Sequence, residues 1–363
     1  MSPVASLLAA LVAHRTSNPG SDERPLARDL ASRLAAVDAD DVAVTEVPRS
    51  HAPGAYVYAR FGQPRVLVNV HFDTVPANAG WTTDPWTLRT EGDHLVGLGA
   101  ADTKGAISAV LTALARERPR DVGILFSGDE EHGNRCIRHF LSSDHARGLE
   151  QAIVCEPTEL RVGTCHRGIV GMSAGMSTEG GHSSRADALR ALVPELGALA
   201  AALARWGRER REQGPPGFKG YCMNVARLEG GVAFNVVPTH AVLEFSVRPP
   251  PGADNAALRA ELAALCLEAV SDATIETLLD NGSFQTRDRA SFVPWLGARA
   301  QQPVDLGFWT EAALLSAAGL DAVVCGPGSI DVAHAPDEYV TTAQLDEATE
   351  MFASMFRKTR TET

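Results

Sequence analysis

The chain has 363 residues, of which 45% are hydrophobic, so it is long enough for two domains that each bury a core. Its net charge of −12 argues against a nucleic-acid-binding surface, which needs a basic patch. The cysteines lack CxxC spacing, which favours reduced thiols and a cytoplasmic location. No apolar stretch approaches the roughly 20 residues that span a bilayer. The apolar N-terminal segment predicts an amphipathic helix rather than a signal peptide.

The first half of the chain alternates predicted helices with predicted strands. Helices are expected at 4–14, 25–37, after Gly105 and at 136–141, and strands at 42–47, 55–60, 66–70, 122–127 and 151–154. This alternation predicts an α/β domain with a mixed, mostly parallel sheet covered by helices. Polar clusters follow three of the strands, at His71, at Glu130 and Glu131, and at Glu156. Since open α/β sheets bind ligands at the carboxyl ends of their strands, we expect these clusters to form one site.

From about residue 166 the pattern changes to the order βαββαβ. Strands such as VGMSAGMS and HAVLEFSVRP alternate with helices predicted at Ala186–Arg208 and Asn255–Val270. This order is typical of a small ferredoxin-like α+β domain. The chain then returns through further helices and one apolar strand, AVVCG.

An ordered series of motifs carries a family resemblance. The series is HFDTVP, GLGAADTKG, SGDEEHGN, CEPT, HRG, GGHSS, NVVP and GPGSIDVAHAPDEYV. It covers nearly the whole chain and resembles the M20 family of zinc-dependent amidohydrolases and aminopeptidases. The resemblance implies a metal-binding catalytic domain, 1–165 plus 277–363, that holds an inserted dimerisation and lid domain, 166–276. It also implies a homodimer formed through the inserted domain, while the net charge and the lack of a long apolar stretch predict no nucleic-acid or membrane partner.

A histidine and an aspartate at element ends are what a metal site built from loops requires. GLGAAD also invites a dinucleotide-binding interpretation, but Asp102 takes the third glycine position, where a carboxylate would repel a pyrophosphate. The family pattern implies two metal ions, one held by His71, Asp102 and Glu156. The other is held by Asp102, Glu131 and His334. Nitrogen and oxygen ligands without thiolate suit Zn²⁺, with Co²⁺ or Mn²⁺ as substitutes.

The resemblance also implies catalytic roles. Glu130 is the expected general base, although adjacent acids are more often a solvated turn. Asp73 is expected to accept a hydrogen bond from the metal-binding histidine before it. His182 of GGHSS is expected to reach across a dimer interface to the developing oxyanion, with a plain surface-loop histidine as the alternative. A cis peptide bond is expected after Asp102. The candidate substrate-binding residues are Asn235, Arg248, Glu311 and the loop that begins at Gly326.

Two branches of the family are closest in motif. TEA and GPGS…AHAPDEY resemble acetylornithine deacetylases, and FWTEA and RCIRHFL resemble acetylcitrulline deacetylases. They imply release of acetate from N-acetyl-L-citrulline or N-acetyl-L-ornithine in arginine biosynthesis. An ornithine pocket should offer a carboxylate to the ammonium group, and Glu311 is a candidate, but TEA occurs in both branches. Trp309 slightly favours acetylcitrulline. The alternatives are a succinyl-diaminopimelate desuccinylase, a metal aminopeptidase, and a non-catalytic binding protein, which the complete ligand set argues against.

Overall fold

The computed structural model describes residues 2–359, which form two compact units. The first unit contains the chain up to Thr164, Thr286–Val304 and the chain from Thr310 onward. The second unit contains Cys165–Gln285 and Asp305–Trp309. Within the described residues, every helix is too short or too polar to cross a lipid bilayer.

The helices and strands are numbered in chain order. The α-helices are α1 (Pro3–Val12), α2 (Arg24–Ala35), α3 (Gly105–Arg116), α4 (Arg135–Leu141), α5 (Leu192–Glu209), α6 (Asn255–Ala269), α7 (Val293–Leu296), α8 (Ala312–Ala317) and α9 (Thr342–Lys358). The strands are β1 (Asp41–Val47), β2 (Gly54–Phe61), β3 (Val66–His71), β4 (Arg89–Glu91), β5 (His94–Val96), β6 (Val122–Ser127), β7 (Gln151–Val154), β8 (Val162–His166), β9 (Ile169–Ser177), β10 (Gly181–His182), β11 (Asn224–Gly230), β12 (Val236–Val237), β13 (His240–Val247), β14 (Thr274–Asn281), β15 (Phe284–Gln285), β16 (Pro303–Leu306), β17 (Asp321–Val324) and β18 (Tyr339–Thr341).

The first unit is built on a large mixed sheet with the strand order β1-β2-β6-β3-β7-β17-β8. The four central strands, β6, β3, β7 and β17, run parallel, and β1 and β2 add an antiparallel edge. Every residue of β3 and of β6 is buried. Such continuous apolar runs suit parallel strands because helices cover both faces of the sheet. The predicted α/β class with a mixed sheet is confirmed.

Helices α3 and α9 pack against each other in the core of the first unit. Ile107 and Val110 of α3 are fully buried, as are Phe352 and Phe356 of α9. Full burial of such a side chain contributes about 1.5–3 kcal/mol. A capping box marks the start of α9. The hydroxyl of Thr341 accepts the main-chain N–H of Gln344, and the side chain of Gln344 accepts the main-chain N–H of Thr341.

The carboxyl ends of β3, β6 and β7 lie side by side. In the parallel register, His71 pairs with Ser127, and Asn69 pairs with Val154. The polar residues that follow each strand are therefore brought to one edge of the sheet, as the sequence predicts. This edge holds the candidate site.

A small sheet in the order β18-β5-β4 adds a further element to that edge. Tyr339 of β18 pairs with Val96 of β5, and the N–H of Gly97 donates to the main-chain oxygen of Glu338 at 2.9 Å. The PDEY segment thus lies against the glycine-rich segment that carries Asp102. The sequence analysis does not predict this pairing.

The second unit has a four-stranded antiparallel sheet in the order β11-β13-β9-β14, with α5 and α6 packed on it. The chain order is βαββαβ, as predicted. The predicted start of α5 at Ala186 is wrong, since 183–188 form a 3₁₀ turn and α5 begins at Leu192. Pro194 explains the shift: in the first turn its missing N–H costs nothing, whereas inside a longer helix it would break a hydrogen bond. The predicted end of the inserted domain, residue 276, falls inside strand β14. This strand continues to pair with β9 as far as Asn281.

Candidate metal centre

Two histidines face the two oxygens of one buried carboxylate. Nε2 of His71 lies 2.9 Å from Oδ1 of Asp102, and Nε2 of His334 lies 3.1 Å from Oδ2. Nε2 of His334 also lies 3.0 Å from Oε1 of Glu131, and Nε2 of His71 lies 3.7 Å from Oε2 of Glu156. Donor atoms of His71, Asp102 and Glu131 all lie within 4.8 Å of one another. The side chains that the sequence suggests as ligands are therefore brought together.

The donor set fits divalent metal ions. Asp102 and Glu156 are 7% and 5% exposed, and within residues 2–359 no lysine or arginine forms an ion pair with them or with Glu131. Buried carboxylates without a cation are costly, and a divalent ion removes that cost. Imidazole nitrogen with carboxylate oxygen is a combination that Zn²⁺ binds well.

Burial and neighbouring charges shift the pKa values of three groups at this centre. Burial raises the pKa of Glu156 to about 7. Hydrogen bonds to Asp102 and Glu131 raise the pKa of His334 to about 10. Burial lowers the pKa of His71, but the carboxylates of Glu156 and Asp102 outweigh that effect and raise it well above its ordinary value. A metal ion binds ionised carboxylates and neutral imidazoles, so its binding would displace any protons from Glu156, His71 and His334.

Asp73 connects one histidine to the two adjacent acids. Its Oδ1 accepts the N–H of Glu130, and its Oδ2 accepts the N–H of Glu131, both at 3.1 Å. Nδ1 of His71 lies 3.0 Å from the main-chain oxygen of Asp73 and 3.5 Å from its Oδ1.

Burial raises the pKa of Glu130 well above its ordinary value, and the nearby carboxylates of Glu156 and Glu131 add to that shift.

Glu338 holds the segment that carries Asp102. It is 1% exposed, and its carboxylate accepts the N–H groups of Gly99 at 3.0 Å, Ala101 at 2.8 Å and Asp102 at 2.9 Å. The Asp102–Thr103 peptide bond is cis, so that expectation is confirmed. Glu338 lies in the PDEY motif, but its role is not predicted from the sequence. The only available signal is its place in that motif, since nothing in the sequence shows that it is buried.

Three further polar residues were also missed by the sequence analysis. Asn18, Glu23 and Arg49 lie behind Asp73, and Asn18 donates to Oδ2 of Asp73 at 2.7 Å. They come from the turn-rich segments around SNPGS and PRSHAP, where polar residues are usually solvated. No motif or spacing distinguishes them.

Two candidate substrate-binding residues lie in the first unit. Glu311 is 1% exposed, and its Oε2 accepts the hydroxyl hydrogen of Ser127 at 2.7 Å. Burial raises the pKa of Glu311 to about 8. Gly326 is tightly packed, because a Cβ there would lie 2.7 Å from the main-chain oxygen of Glu156. Its N–H donates to Oγ1 of Thr158 at 3.2 Å.

The second unit contains the other two candidate substrate-binding residues, Asn235 and Arg248, and the candidate catalytic residue His182. His182 of β10 pairs with Val236 of β12, and the N–H of Ser183 donates to the main-chain oxygen of Asn235 at 3.1 Å. The segments that carry His182 and Asn235 are therefore neighbours. Nδ1 of His182 accepts the N–H of Ser184 at 3.1 Å, so the neutral ring carries its proton on Nε2. Arg248 directly follows β13.

Comparisons with known proteins place the chain in a family. The model of peptidase family M20/M25/M40 matches residues 67–358. N-acetyl-L-citrulline deacetylase of Xanthomonas campestris pv. campestris is 36% identical over 319 residues, which cover 83% of this chain and 84% of that protein. Acetylornithine deacetylase of Yersinia pseudotuberculosis is 31% identical over 318 residues, which cover 81% of this chain and 79% of that protein.

Solved structures share the fold. The M20 family metallo-carboxypeptidase Sso-CP2 from Sulfolobus solfataricus aligns with a TM-score of 0.81 at 17% identity, over 98% of this chain and 99% of that one. The length of the family match, together with the two deacetylases above 30% identity, fixes the assignment. The chain belongs to peptidase family M20/M25/M40 and is a hydrolase that acts on amide bonds.

Proposed function

We propose that this protein is a deacetylase that hydrolyses an Nα-acetylated amino acid of arginine biosynthesis. It uses two divalent metal ions, of which zinc is the preferred one. The proposed substrate is N-acetyl-L-citrulline ahead of N-acetyl-L-ornithine, and the products are acetate and the free amino acid. The observation that carries the proposal is the pair of histidines that face the two oxygens of Asp102. The 36% identity to an N-acetyl-L-citrulline deacetylase supports the choice of substrate.

The proposed ligand sets share Asp102. His71, Asp102 and Glu156 would hold one ion, and Asp102, Glu131 and His334 would hold the other. When bound, the ions supply Lewis-acid polarisation of the scissile carbonyl and make water easier to deprotonate. Co²⁺ and Mn²⁺ would serve as substitutes, because the donor set has no thiolate.

Glu130 is the proposed general base. Its main-chain N–H donates to Asp73, and its carboxyl group is buried beside Glu131 and Glu156. The same carboxyl group then returns the proton to the leaving amine. General acid–base catalysis of this kind typically contributes about 10²–10⁴-fold to the rate.

The second unit is the proposed dimerisation and lid domain. Strand β11 is an edge strand, and Val232 and Phe234, which follow it, are 90% and 100% exposed. A second copy of the chain would cover this apolar segment, and pairing would protect the strand edge. His182 would then donate its Nε2 proton to the developing oxyanion.

The proposed contacts to the substrate are Arg248, Asn235, Glu311 and the loop that begins at Gly326. Arg248 and Asn235 would bind the α-carboxylate and the amide. The N–H of Gly326 already donates to Thr158, so an anion would use other N–H groups of that loop or replace this bond. Oε1 of Glu311 has no hydrogen-bond partner among the described residues, which leaves it available to a polar group of the substrate.

The test is acetate release by the zinc-loaded enzyme, with kcat/KM determined for each substrate. The substrates are N-acetyl-L-citrulline, N-acetyl-L-ornithine, N-succinyl-L,L-diaminopimelate and a dipeptide. We expect kcat/KM for acetylcitrulline to exceed that for acetylornithine by about tenfold or more, in line with the higher identity to an N-acetyl-L-citrulline deacetylase. Preference for the succinylated substrate or the dipeptide would overturn the proposal in favour of a desuccinylase or a peptidase.

A further inference from the structure

Behind the metal centre, loops of the first unit meet in a buried cluster of four polar side chains, Asn18, Glu23, Arg49 and Asp73, here termed the clamp. Asn18, Glu23 and Asp73 are 2%, 0% and 0% exposed, and the side chain of Arg49 is 5% exposed. Only Asp73 has a role in the proposed function. The other three are buried, hydrogen-bonded and otherwise unexplained.

Asn18 joins the two carboxylates of the clamp. Its Nδ2 donates to Oε1 of Glu23 and to Oδ2 of Asp73, both at 2.7 Å. Its Oδ1 accepts from Nη1 of Arg49 at 2.9 Å. This set of partners fixes the orientation of the amide, since the nitrogen must face the carboxylates and the oxygen must face the guanidinium. An aspartate or an aliphatic side chain could not make the same three contacts.

Arg49 supplies the positive charge of the clamp. Besides Asn18, its Nη1 reaches Oε1 of Glu23 at 2.8 Å and Oδ1 of Asp129 at 3.0 Å. Its other nitrogens donate to main-chain oxygens of Ser21, Ala52 and Pro53. Buried carboxylates require such a partner, and the planar fork of arginine makes contacts that lysine cannot reproduce.

The clamp binds three consecutive N–H groups of the loop that follows β6. The N–H of Asp129 donates to Oε1 of Glu23 at 2.9 Å. The N–H groups of Glu130 and Glu131 donate to the two oxygens of Asp73. The main chain that carries the proposed base and one proposed ligand is thus held by two carboxylates, and Asn18 links those carboxylates to each other.

Neighbouring glycines leave the space that the clamp fills. A Cβ at Gly128 would lie 2.1 Å from Oε2 of Glu23, and a Cβ at Gly54 would lie 2.9 Å from Nε of Arg49. Real Cβ atoms do not approach other atoms so closely, and the Gly128 clash is with a buried carboxylate that has little room to move. The loop and the clamp are therefore fitted to each other on both sides.

We propose that Asn18 and Arg49 are positioning residues, which act through Glu23 and Asp73 to hold the 128–131 loop in the geometry that Glu130 and Glu131 need. The side-chain partners of Asn18 and Arg49 include none of the proposed metal ligands. The catalytic consequence rests on the proposed function, in which Glu130 is the base. The structural consequence, an ordered loop, does not depend on it.

The first test is hydrogen exchange measured by mass spectrometry on the metal-free protein. Asn18→Ala should speed exchange of the amides at 129–131 by about tenfold or more, because the two carboxylates lose their link.

The matched control is Gln151→Ala, which removes an amide bonded to Ser291 and Trp295. Gln151 is the first residue of β7, so it lies at the amino ends of the parallel strands, away from the clamp. This variant should leave the amides at 129–131 unchanged. If Asn18→Ala does not fold, Asn18→Ser provides the same comparison. Unchanged exchange at 129–131 in the folded variant would overturn the proposal.

The second test separates positioning from folding by kinetics. Asn18→Ala and Arg49→Lys should each lower kcat by about 10–100-fold and weaken zinc binding, with KM changed little. The double variant should lose no more than the worse single variant, because both residues act through one hydrogen-bonded path. A lower melting temperature with kcat and zinc affinity unchanged, as expected for Gln151→Ala, would make the clamp merely structural and overturn the proposal. If no acylated amino acid is hydrolysed, the proposed function fails, and the exchange experiment still decides on the clamp.

Discussion

The carboxylate of Glu338 accepts the main-chain N–H of Asp102 at 2.9 Å, so a buried acid holds the residue that faces both histidines of the candidate metal centre. The same carboxylate accepts two more N–H groups from the segment before Asp102. Because these three N–H groups donate to both oxygens of Glu338, each side-chain oxygen must be an acceptor. In a glutamine at this position, the side-chain NH₂ group would face one of these main-chain N–H groups, which would then lack an acceptor.

Glu338→Gln is therefore expected to lower stability by about 1–3 kcal/mol, since at least one buried N–H loses its acceptor. Zinc affinity should fall by about 10–100-fold, because Asp102 loses its support. Chemical denaturation of the metal-free protein and competition with a zinc chelator would measure the two effects. Glu347→Gln, on the exposed Glu347–Arg299 pair, is the matched control and should change neither. Unchanged zinc affinity in Glu338→Gln would show that Asp102 needs no such support.

The adjacent acids Glu130 and Glu131 should respond differently to the same substitution. Glu130→Gln should keep both metal ions and lose about 10²–10⁴-fold in kcat, as expected for loss of a general base. Glu131→Gln should lose one metal ion, because its Oε1 lies 3.0 Å from Nε2 of His334. Metal content by mass spectrometry and steady-state kinetics would distinguish them. Loss of metal from Glu130→Gln, with activity restored by added zinc, would mean that the two roles are exchanged.

The sequence predicts the convergence of His71, Glu130 and Glu156, since each follows a buried apolar strand and the ends of parallel strands meet at one edge. It does not predict the clamp or Glu338, because their importance lies in burial and in partners from distant loops. Asn18 and Arg49 stand in segments whose composition is typical of exposed turns. Helix α5 begins later than its alanine-rich pattern suggests, because Pro194 fits the first turn of a helix and not its interior.

Metal binding is expected to release protons. In the metal-free protein, burial raises the pKa of Glu156 to about 7, and its carboxylate partners raise the pKa of His334 to about 10. A metal ion needs the carboxylate and the neutral imidazole, so protons must leave, and affinity should rise as the pH rises through 7. Calorimetric zinc titrations at pH 7 in two buffers of different ionisation enthalpy would show this as a buffer-dependent heat. Equal heats in the two buffers would contradict the assignment of these groups as ligands.

The proposed dimer can be tested by complementation. His182→Ala protomers and Glu130→Gln protomers should each be inactive or nearly so. If His182 acts in the partner's active site, mixed dimers regain one working site, up to about a quarter of the wild-type activity of the mixture. Mixtures of two identical variants serve as controls. Mixtures that stay inactive, although heterodimers are shown by native mass spectrometry, would place His182 in its own subunit's site.

Anomalous diffraction at the zinc edge would show directly whether two metal ions share Asp102. Crystals of the zinc-loaded protein should show two anomalous peaks, one in contact with His71, Asp102 and Glu156 and the other with Asp102, Glu131 and His334. A single peak, or two peaks that do not share Asp102, would contradict the proposed ligand sets.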